Sequence, residues 1–306
     1  MRTLIALVLV CALGGLARAE DDESEQEKPH EGDPCVNLSG QRGLSGMREM
    51  IDARTAPGTW HIRTGAYFQG SSESITASGD VRTHTRDRFE LTPYVGASFL
   101  GHLEVGFHWP FPEVEHTQDR IHDVTAPTND PWPSVHHDDV FGGGGNFSFA
   151  AKAGWTLGPV SLAAYAIGQT NTGSRLMTHK EDSFGEVGGA GTVSLVDGRF
   201  SIHLNLGARH LETRRLGWGF RYRGGFGVIV VQTEKLLVRS FVYGDGVESE
   251  GTPGSDARLG AGVQFQLIER IQLEISGDGR LYAGSLVGPF SDSGTYAVAL
   301  TIGFVY

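Results

Sequence analysis

The sequence predicts an all-β protein, a 12-stranded antiparallel up-and-down transmembrane β-barrel. Three observations predict this fold: segments of alternating apolar and polar residues follow one another from residue 57 onward, the connections between them alternate between short and long, and the last segment is apolar and aromatic on one face. Segments of about ten residues with this alternation are typical of outer-membrane barrels. Ten or fourteen strands are also possible, because three segments are weak.

Twelve segments show the two-residue period of a β-strand. They are residues 59–69, 88–99, 103–109, 146–155, 160–169, 184–195, 199–209, 218–231, 236–243, 258–267, 271–282 and 295–306. The seventh is the clearest, since Ile202, Leu204 and Leu206 alternate with His203 and Asn205. An apolar face of this kind needs an apolar environment.

The fifth, sixth and ninth segments are the weak ones. In the fifth, Tyr165 and Ile167 lie on the face opposite Val160 and Leu162, so both faces carry apolar residues. The sixth is rich in glycine, and the phase of the ninth is ambiguous. The strand count is therefore open by two.

Short and long connections alternate strictly. The short ones are residues 100–102, 156–159, 196–199, 232–235 and 268–270. The long, polar ones are residues 70–87, 110–145, 170–183, 210–217, 244–257 and 283–294. Outer-membrane barrels place short turns in the periplasm and long loops outside, so an even strand number with both termini in the periplasm follows.

A soluble β-sandwich would show the same alternation, with its apolar face buried. Aromatic residues at the segment ends favour a membrane barrel, because such barrels carry aromatic girdles at both interfaces. These residues are Trp60, Phe68, Phe99, Trp109, Trp155, Trp218, Tyr296 and Tyr306. We therefore expect outer-membrane lipid around the apolar face.

The last segment resembles the C-terminal sorting signal of outer-membrane barrels. Its apolar-aromatic face consists of Tyr296, Val298, Leu300, Ile302, Phe304 and Tyr306. The resemblance implies the barrel-assembly machinery and periplasmic chaperones as partners during biogenesis.

Residues 1–19 predict a cleaved signal peptide, with Arg2 before an apolar run and a small-x-small cleavage site.

Residues 20–56 predict an acidic, flexible periplasmic leader, and the barrel covers residues 57–306. Residues 20–35 hold eight acidic residues and one lysine, which supply seven of the eleven net negative charges. This charge argues against nucleic acid as a partner. Within the leader, residues 40–54 fit either a short helical turn or a strap that plugs the barrel.

Residues 91–110, LTPYVGASFLGHLEVGFHWP, and residues 145–152, GNFSFAAK, resemble transporter-like outer-membrane barrels related to the MetA-pathway phenol-degradation family. Residues 43–60 are similar to the start of the barrel domain of myxobacterial OmpA-like proteins. The resemblance implies an outer-membrane channel or transporter of a Gram-negative bacterium, with no catalytic residues to carry over. We expect no peptidoglycan-binding domain after the last strand.

The polar faces of the strands are expected to line the lumen. The predicted lining residues are His61, Arg63, Arg88, Glu90, Glu104, His108, Lys152, His203, Arg209, Arg221, Arg223, Arg258, Glu274, Asp278 and Arg280. Such charges can set the ion preference of a pore, here weakly for anions, since basic residues are in excess. They can equally pair across a closed lumen, because small barrels are filled by side chains. The sequence thus predicts passive passage of small solutes, and a lumen-closed structural or interaction barrel is the alternative.

Enzymatic and metal chemistry is not expected, and neither is a cofactor. Residues 113–139 are rich in His and Asp, which can hold a divalent ion, but a solvated polar loop explains them as well. A hydrolase sited at the rim of the barrel is a less favoured alternative function, and it would need a serine–histidine pair. Ser201 and His203 share a strand face, and their Cβ atoms are expected to be too far apart for a direct hydrogen bond.

Overall fold

The computed structural model describes residues 44, 46–47, 50–55, 60–77, 81–122, 136–173, 183–211, 218–249, 255–267, 270–283 and 290–305. All of them belong to the compact unit Pro34–Tyr306. The predicted signal peptide and the leader up to residue 43 lie outside the described residues. No helix in this part of the chain is long and apolar enough to cross a membrane.

Alternating side-chain polarity places most of the described chain in β-strands. In chain order they are β1 Gly46–Met47, β2 Met50–Ile51, β3 Trp60–Ala77, β4 Val81–Phe99, β5 Leu103–His108, β6 Glu113–His122, β7 His136–Gly143, β8 Ser148–Leu157, β9 Val160–Gln169, β10 Phe184–Leu195, β11 Phe200–Leu211, β12 Trp218–Gln232, β13 Leu236–Ser249, β14 Ser255–Leu267, β15 Ile271–Ala283 and β16 Phe290–Val305.

Twelve of these strands form a closed antiparallel ring. The order around the ring is β3, β4, β5, β8 and then β9 to β16, and β16 pairs with β3. This closing pair extends from Phe290 opposite Ala77 to Val305 opposite Arg63. The predicted 12-stranded up-and-down barrel is therefore confirmed.

Strands β6 and β7 lie outside the ring as an added hairpin. The half of β4 from Tyr94 to Phe99 pairs with β5, whereas the half from Val81 to Glu90 pairs with β6. Strand β7 pairs with β6 alone among the described strands. The prediction of a single loop over residues 110–145 was wrong, because this stretch contains both strands.

Other predicted loops are also shorter in the structure, since the strands continue through them. Strand β3 extends to Ala77 and β4 begins at Val81, inside the predicted loop 70–87. Strands β13, β14 and β16 likewise extend into the loops predicted over residues 244–257 and 283–294. These extensions carry polar side chains on both faces, so their sequences lack the alternation of apolar and polar residues that predicts a strand. The backbone hydrogen bonds between the strands nevertheless continue.

The apolar face of the strands points outward. On β11, the outward residues Ile202, Leu204 and Leu206 are 46%, 52% and 42% exposed, whereas the intervening His203 and Asn205 are buried. Two rims of aromatic rings border this apolar surface. At the end with the short turns, which we call the turn side, Trp60 packs edge-on against Phe99 with ring centroids 4.6 Å apart, and Trp155 is exposed. At the opposite, loop side, Trp109, Phe147 and Trp218 are exposed.

The structure assigns a phase to the weak segments. On β9, Tyr165 and Ile167 point inward and are buried, and Leu162 points outward. On β13, Arg239, Phe241 and Tyr243 point inward and are buried, and Val242 is exposed. Both strands therefore place large apolar side chains inside the barrel.

Glycines allow the inward tyrosines to lie flat on neighbouring strands. A Cβ atom at Gly207 would stand 2.6 Å from the Tyr165 hydroxyl oxygen, and one at Gly188 would meet the same ring. In turn, this hydroxyl donates a 3.0 Å hydrogen bond to Glu186. Glycine at these positions therefore fixes the position of a buried polar network.

The phase of β11 can be tested with arginine on the outer face. Leu204→Arg lies at mid-strand and is expected to lower the free energy of unfolding in lipid vesicles by about 2–4 kcal/mol, because a lipid-facing charge must be desolvated. Leu157→Arg, next to a short turn, is the matched control and should cost about 0–1 kcal/mol. Urea titration of tryptophan fluorescence measures both. An unchanged midpoint for Leu204→Arg would mean that β11 faces the other way.

Candidate functional site in the lumen

A short segment of chain fills the turn side of the barrel lumen. We call residues 44–55 the strap, of which residues 44, 46–47 and 50–55 are described. Strands β1 and β2 pair within it, with Gly46 opposite Ile51 and Met47 opposite Met50. The described part of the strap is therefore a pair of short antiparallel strands followed by four residues without regular secondary structure, and the alternative of a helical turn was wrong there. These residues belong to the predicted 20–56 leader, and they lie inside the barrel.

Apolar side chains of the strap pack against inward residues of the barrel. Leu44, Ile51 and Ala53 form one buried cluster, whose barrel members include Tyr165 and Ile167 of β9. Met47 and Met50 form a second cluster with Phe241 and Tyr243 of β13. Burial of such side chains contributes about 1.5–3 kcal/mol each relative to exposure. The lumen is thus filled partly as a protein core.

Backbone groups of the strap bind side chains of β10 and β11. The Asn205 amide donates to the carbonyl oxygen of Ile51 and accepts from its N–H, each at 2.8 Å. The Thr192 hydroxyl accepts from the Ala53 N–H at 3.0 Å. At the exit from the lumen, the Thr55 hydroxyl donates to the carbonyl oxygen of Gly101 in the β4–β5 turn. The strap therefore leaves the lumen at the turn side.

Lys152 joins the strap to the wall of β3, β5 and β8. Its Nζ donates to the carbonyl oxygens of Asp52 and Arg54 and lies 3.0 Å from a Glu104 carboxylate oxygen. Glu104 is also 3.2 Å from Arg63. All three wall side chains are fully buried, so two cations share one carboxylate.

Arg239 holds the other end of the strap. Its guanidinium donates to Gln264 Oε1 through Nε and Nη2, and Nη2 also lies 3.3 Å from the carbonyl oxygen of Gly46. The Gln264 amide donates to this carbonyl at 3.1 Å and to Glu274 at 2.6 Å. Each contact of Arg239 in the described part of the chain is therefore with a neutral oxygen.

Asp52 is paired mainly within the strap. Arg54 forms the ion pair with its carboxylate, and the Thr192 hydroxyl donates to it at 3.1 Å. Burial alone would raise the pKa of the Asp52 carboxyl, but the Arg54 guanidinium opposes this effect and holds that pKa below its ordinary value. The carboxylate is therefore charged, and its charge is balanced by the strap itself.

Ser201 and His203 are directly hydrogen-bonded, so the prediction that they lie too far apart was wrong. The distance between Ser201 Oγ and His203 Nε2 is 2.9 Å, because side chains on one face can lean along the strand. His203 Nδ1 contacts the Thr192 hydroxyl at 3.0 Å and lies 3.9 Å from Asp52. This array resembles an activated nucleophile. However, its carboxylate comes from the strap, and Ser201 is only 3% exposed.

Ion pairs occupy the lumen nearer the loop side. Arg223 and Arg221 bind Glu186 and Asp245, with closest distances of 2.9 Å and 2.8 Å respectively. Arg86 pairs with Glu115 at 2.7 Å, Arg88 pairs with Glu90 and Glu113, and Arg258 lies 3.6 Å from Asp278. Each charge in these pairs has its counter-charge on a barrel or hairpin strand, so this part of the lumen does not depend on the strap.

Most predicted lining residues fall on the inward face. Buried there are Arg63, Glu90, Glu104, His108, Lys152, His203, Arg221, Arg223 and Glu274, while His61, Arg88, Arg209, Arg258 and Asp278 are partly buried. Arg209 places its guanidinium 3.8 Å from the centre of the Phe184 ring. The side chain of Arg280 lies outside the described residues. Whether these residues line a conducting pore stays a prediction.

The sequence analysis missed several charged residues of the lumen. Arg239 lies in the segment whose phase was ambiguous, and Glu186 lies in the glycine-rich one. Arg86, Glu113, Glu115 and Asp245 lie in stretches predicted as loops. Charged residues spaced two apart were the available signal for these strands: Arg86, Arg88 and Glu90 in one stretch, and Glu113 and Glu115 in the other.

The His- and Asp-rich stretch is a β-hairpin. His116 Nε2 contacts the Asp138 carboxylate across β6 and β7, on the exposed surface. The described residues contain no group of three or more His, Cys, Asp and Glu side chains that could hold a metal ion. The histidine therefore serves a cross-strand contact here.

Attachment of the strap can be tested at Asn205. Asn205→Ala removes both hydrogen bonds to Ile51 and leaves a buried N–H and C=O without partners, which costs about 1–3 kcal/mol. Hydrogen exchange of the strap amides, followed by mass spectrometry, should accelerate roughly 5- to 150-fold. Asn146→Ala is the matched control, since Asn146 bonds Gly173 near the loop side. Equal exchange rates in the two variants would contradict the described docking.

No protein-family model matches the sequence, and no curated protein matches it. Among solved structures, the chain is similar to an outer-membrane channel from Pseudomonas putida F1, with 11% identity and a TM-score of 0.57 over 83% of this chain and 98% of that one. At this identity the likeness shows the fold alone.

Two more distant likenesses carry no argument. They are to the CymD monoaromatic hydrocarbon channel, with 8% identity and a TM-score of 0.39 over 90% of this chain and 97% of that one, and to a FadL homologue of Pseudomonas aeruginosa, with 9% and 0.36 over 81% and 90%. The similarity to the Pseudomonas putida channel shows the fold of outer-membrane β-barrels. The resemblance to the phenol-degradation family stays a prediction.

Proposed function

We propose that the protein is an outer-membrane channel for passive passage of small solutes, and that the strap closes it at rest. The observation that carries this proposal is the composition of the lumen on the turn side. A separate segment of chain fills it, and polar side chains of β8, β10, β11, β13 and β14 hold that segment. Withdrawal of the strap would expose these polar side chains, together with the apolar ones that pack against it, to water and solutes.

The apolar outer face supports a location in the outer membrane. Exposed side chains such as Leu204 and Leu259 would contact lipid, and the rims with Trp60 and Trp218 would lie at the two interfaces. In this orientation the short turns face the periplasm, and the strap enters from that side. The predicted signal peptide and periplasmic leader agree with such an arrangement.

A lumen-closed structural barrel is the alternative function. Small barrels of that kind are filled by side chains from their own strands, as the loop side is here. The turn side differs because Lys152 and Asn205 direct hydrogen bonds to the backbone of the strap. The groups that accept these hydrogen bonds belong to one short segment, so they could leave together. This favours a channel closed by the strap over a barrel that is permanently filled.

Planar-bilayer conductance of the refolded mature chain tests the proposal. Deletion of residues 20–55 removes the strap and is expected to give steady single channels, whereas the intact chain should be mostly closed, because the strap fills the lumen. Deletion of residues 20–43 is the matched control, since it shortens the same segment and keeps the strap.

Heat-modifiable gel mobility verifies that each variant is folded. Silence of the folded 20–55 deletion would overturn the channel and favour the structural barrel. Equal conductance of both deletions would mean that the strap does not close the lumen.

A further inference from the structure

Arg239 is a buried cation without a carboxylate partner in the described part of the chain. It is 1% exposed, and its Nη1 has no hydrogen-bond partner there. Its other nitrogens contact only the oxygens of Gln264 and Gly46. A buried charge is costly unless an opposite charge compensates it, so neutral oxygens satisfy this guanidinium incompletely.

Lys152 is a second cation in a comparable situation. Its nearest carboxylate, Glu104, is shared with Arg63, and its other acceptors are carbonyl oxygens of the strap. The strap brings no net charge to either cation, because Asp52 is paired with Arg54 of the same segment. Glu274 is linked to Arg239 through the Gln264 amide. On the wall, the three cations Arg63, Lys152 and Arg239 then face the two carboxylates Glu104 and Glu274, which leaves an excess of one positive charge with or without the strap.

The position of Asp52 shows how a carboxylate is held by β10 and β11, beside Lys152. Its oxygens accept from the Thr192 hydroxyl at 3.1 Å and lie 3.9 Å from His203 Nδ1. Asn205 adds an amide that can both donate and accept. The polar wall below the strap thus already holds one carboxylate, supplied by the chain itself.

Resting on the proposed function, we propose that this wall is a binding site for small organic carboxylates, which compete with the strap for it. The wall is formed by Lys152, Thr192, His203, Asn205 and Arg239. A carboxylate would replace the neutral carbonyl oxygens at Lys152 and Arg239 with negatively charged oxygens, so that hydrogen bonds from a cation become ion pairs. The carboxylate and the strap would then compete for the same donors, so binding of one displaces the other.

Succinate is the probe, and its neutral analogue succinamide is the control ligand. Isothermal titration of the folded 20–55 deletion should show saturable succinate binding, about tenfold tighter than in the intact mature chain, because the strap no longer competes. Arg239→Gln in the deletion should weaken it about tenfold. Arg270→Gln, on an exposed turn, is the matched control and should leave it unchanged. Binding of succinamide as tight as that of succinate, or an unaffected Arg239→Gln variant, would overturn the site.

Competition is measured in the intact chain by hydrogen exchange. Succinate is expected to accelerate exchange of the Ile51 and Ala53 amides with a saturable dependence, and sodium chloride of equal ionic strength is not. Unchanged exchange at saturating succinate would refute competition. These readouts do not require conduction, so failure of the site is distinguishable from failure of the channel: a conducting deletion that ignores succinate overturns only the site, and a silent deletion that binds it overturns only the channel.

Discussion

The antiparallel pairing of β3 with β16 is the constraint on which the rest of the structure depends. An open sheet edge cannot exist in lipid, because each unpaired N–H and C=O group would be buried without a partner. Closure satisfies these groups along the pairing from Phe290 to Val305. It also forces every second side chain into a narrow interior. The apolar residues must then face lipid, and the arginines and carboxylates of the polar face must find partners inside.

The two halves of the lumen meet this demand in different ways. On the loop side, ion pairs such as Arg223–Glu186 and Arg221–Asp245 balance charge between neighbouring strands. On the turn side, Lys152 and Arg239 have too few carboxylates nearby, and the backbone of the strap supplies acceptors instead. The first arrangement is permanent because its partners belong to the barrel. The second depends on a segment that does not belong to the barrel strands.

The outer face of the barrel could be predicted from the sequence. Outward residues such as Ile202, Leu204 and Leu206 share one apolar environment, so they alternate regularly with polar residues. The lumen could be predicted only in part. The residues on clean strands were found, but the contact of Ser201 with His203 depends on how the side chains lean, which spacing does not give. Glu113 and Glu115 were missed because β6 lies outside the ring of the barrel and its residues do not alternate regularly between apolar and polar. The conformation of residues 40–54 was left undecided, since strap residues bind partners far away in sequence, such as Asn205, which is 154 residues from Ile51.

The weak segments of the sequence have a common physical cause. Strands β9, β10 and β13, whose patterns were ambiguous or glycine-rich, are the strands that bring apolar side chains to the strap, including Tyr165, Phe241 and Tyr243. A strand that contacts lipid outside and an apolar strap inside cannot alternate cleanly between apolar and polar residues. Contact with the strap therefore explains why these strands lack the regular two-residue alternation. A barrel with a permanently water-filled lumen would have no reason to carry these inward rings. The same residues that obscure the predicted strand pattern therefore mark where the strap lies in the lumen.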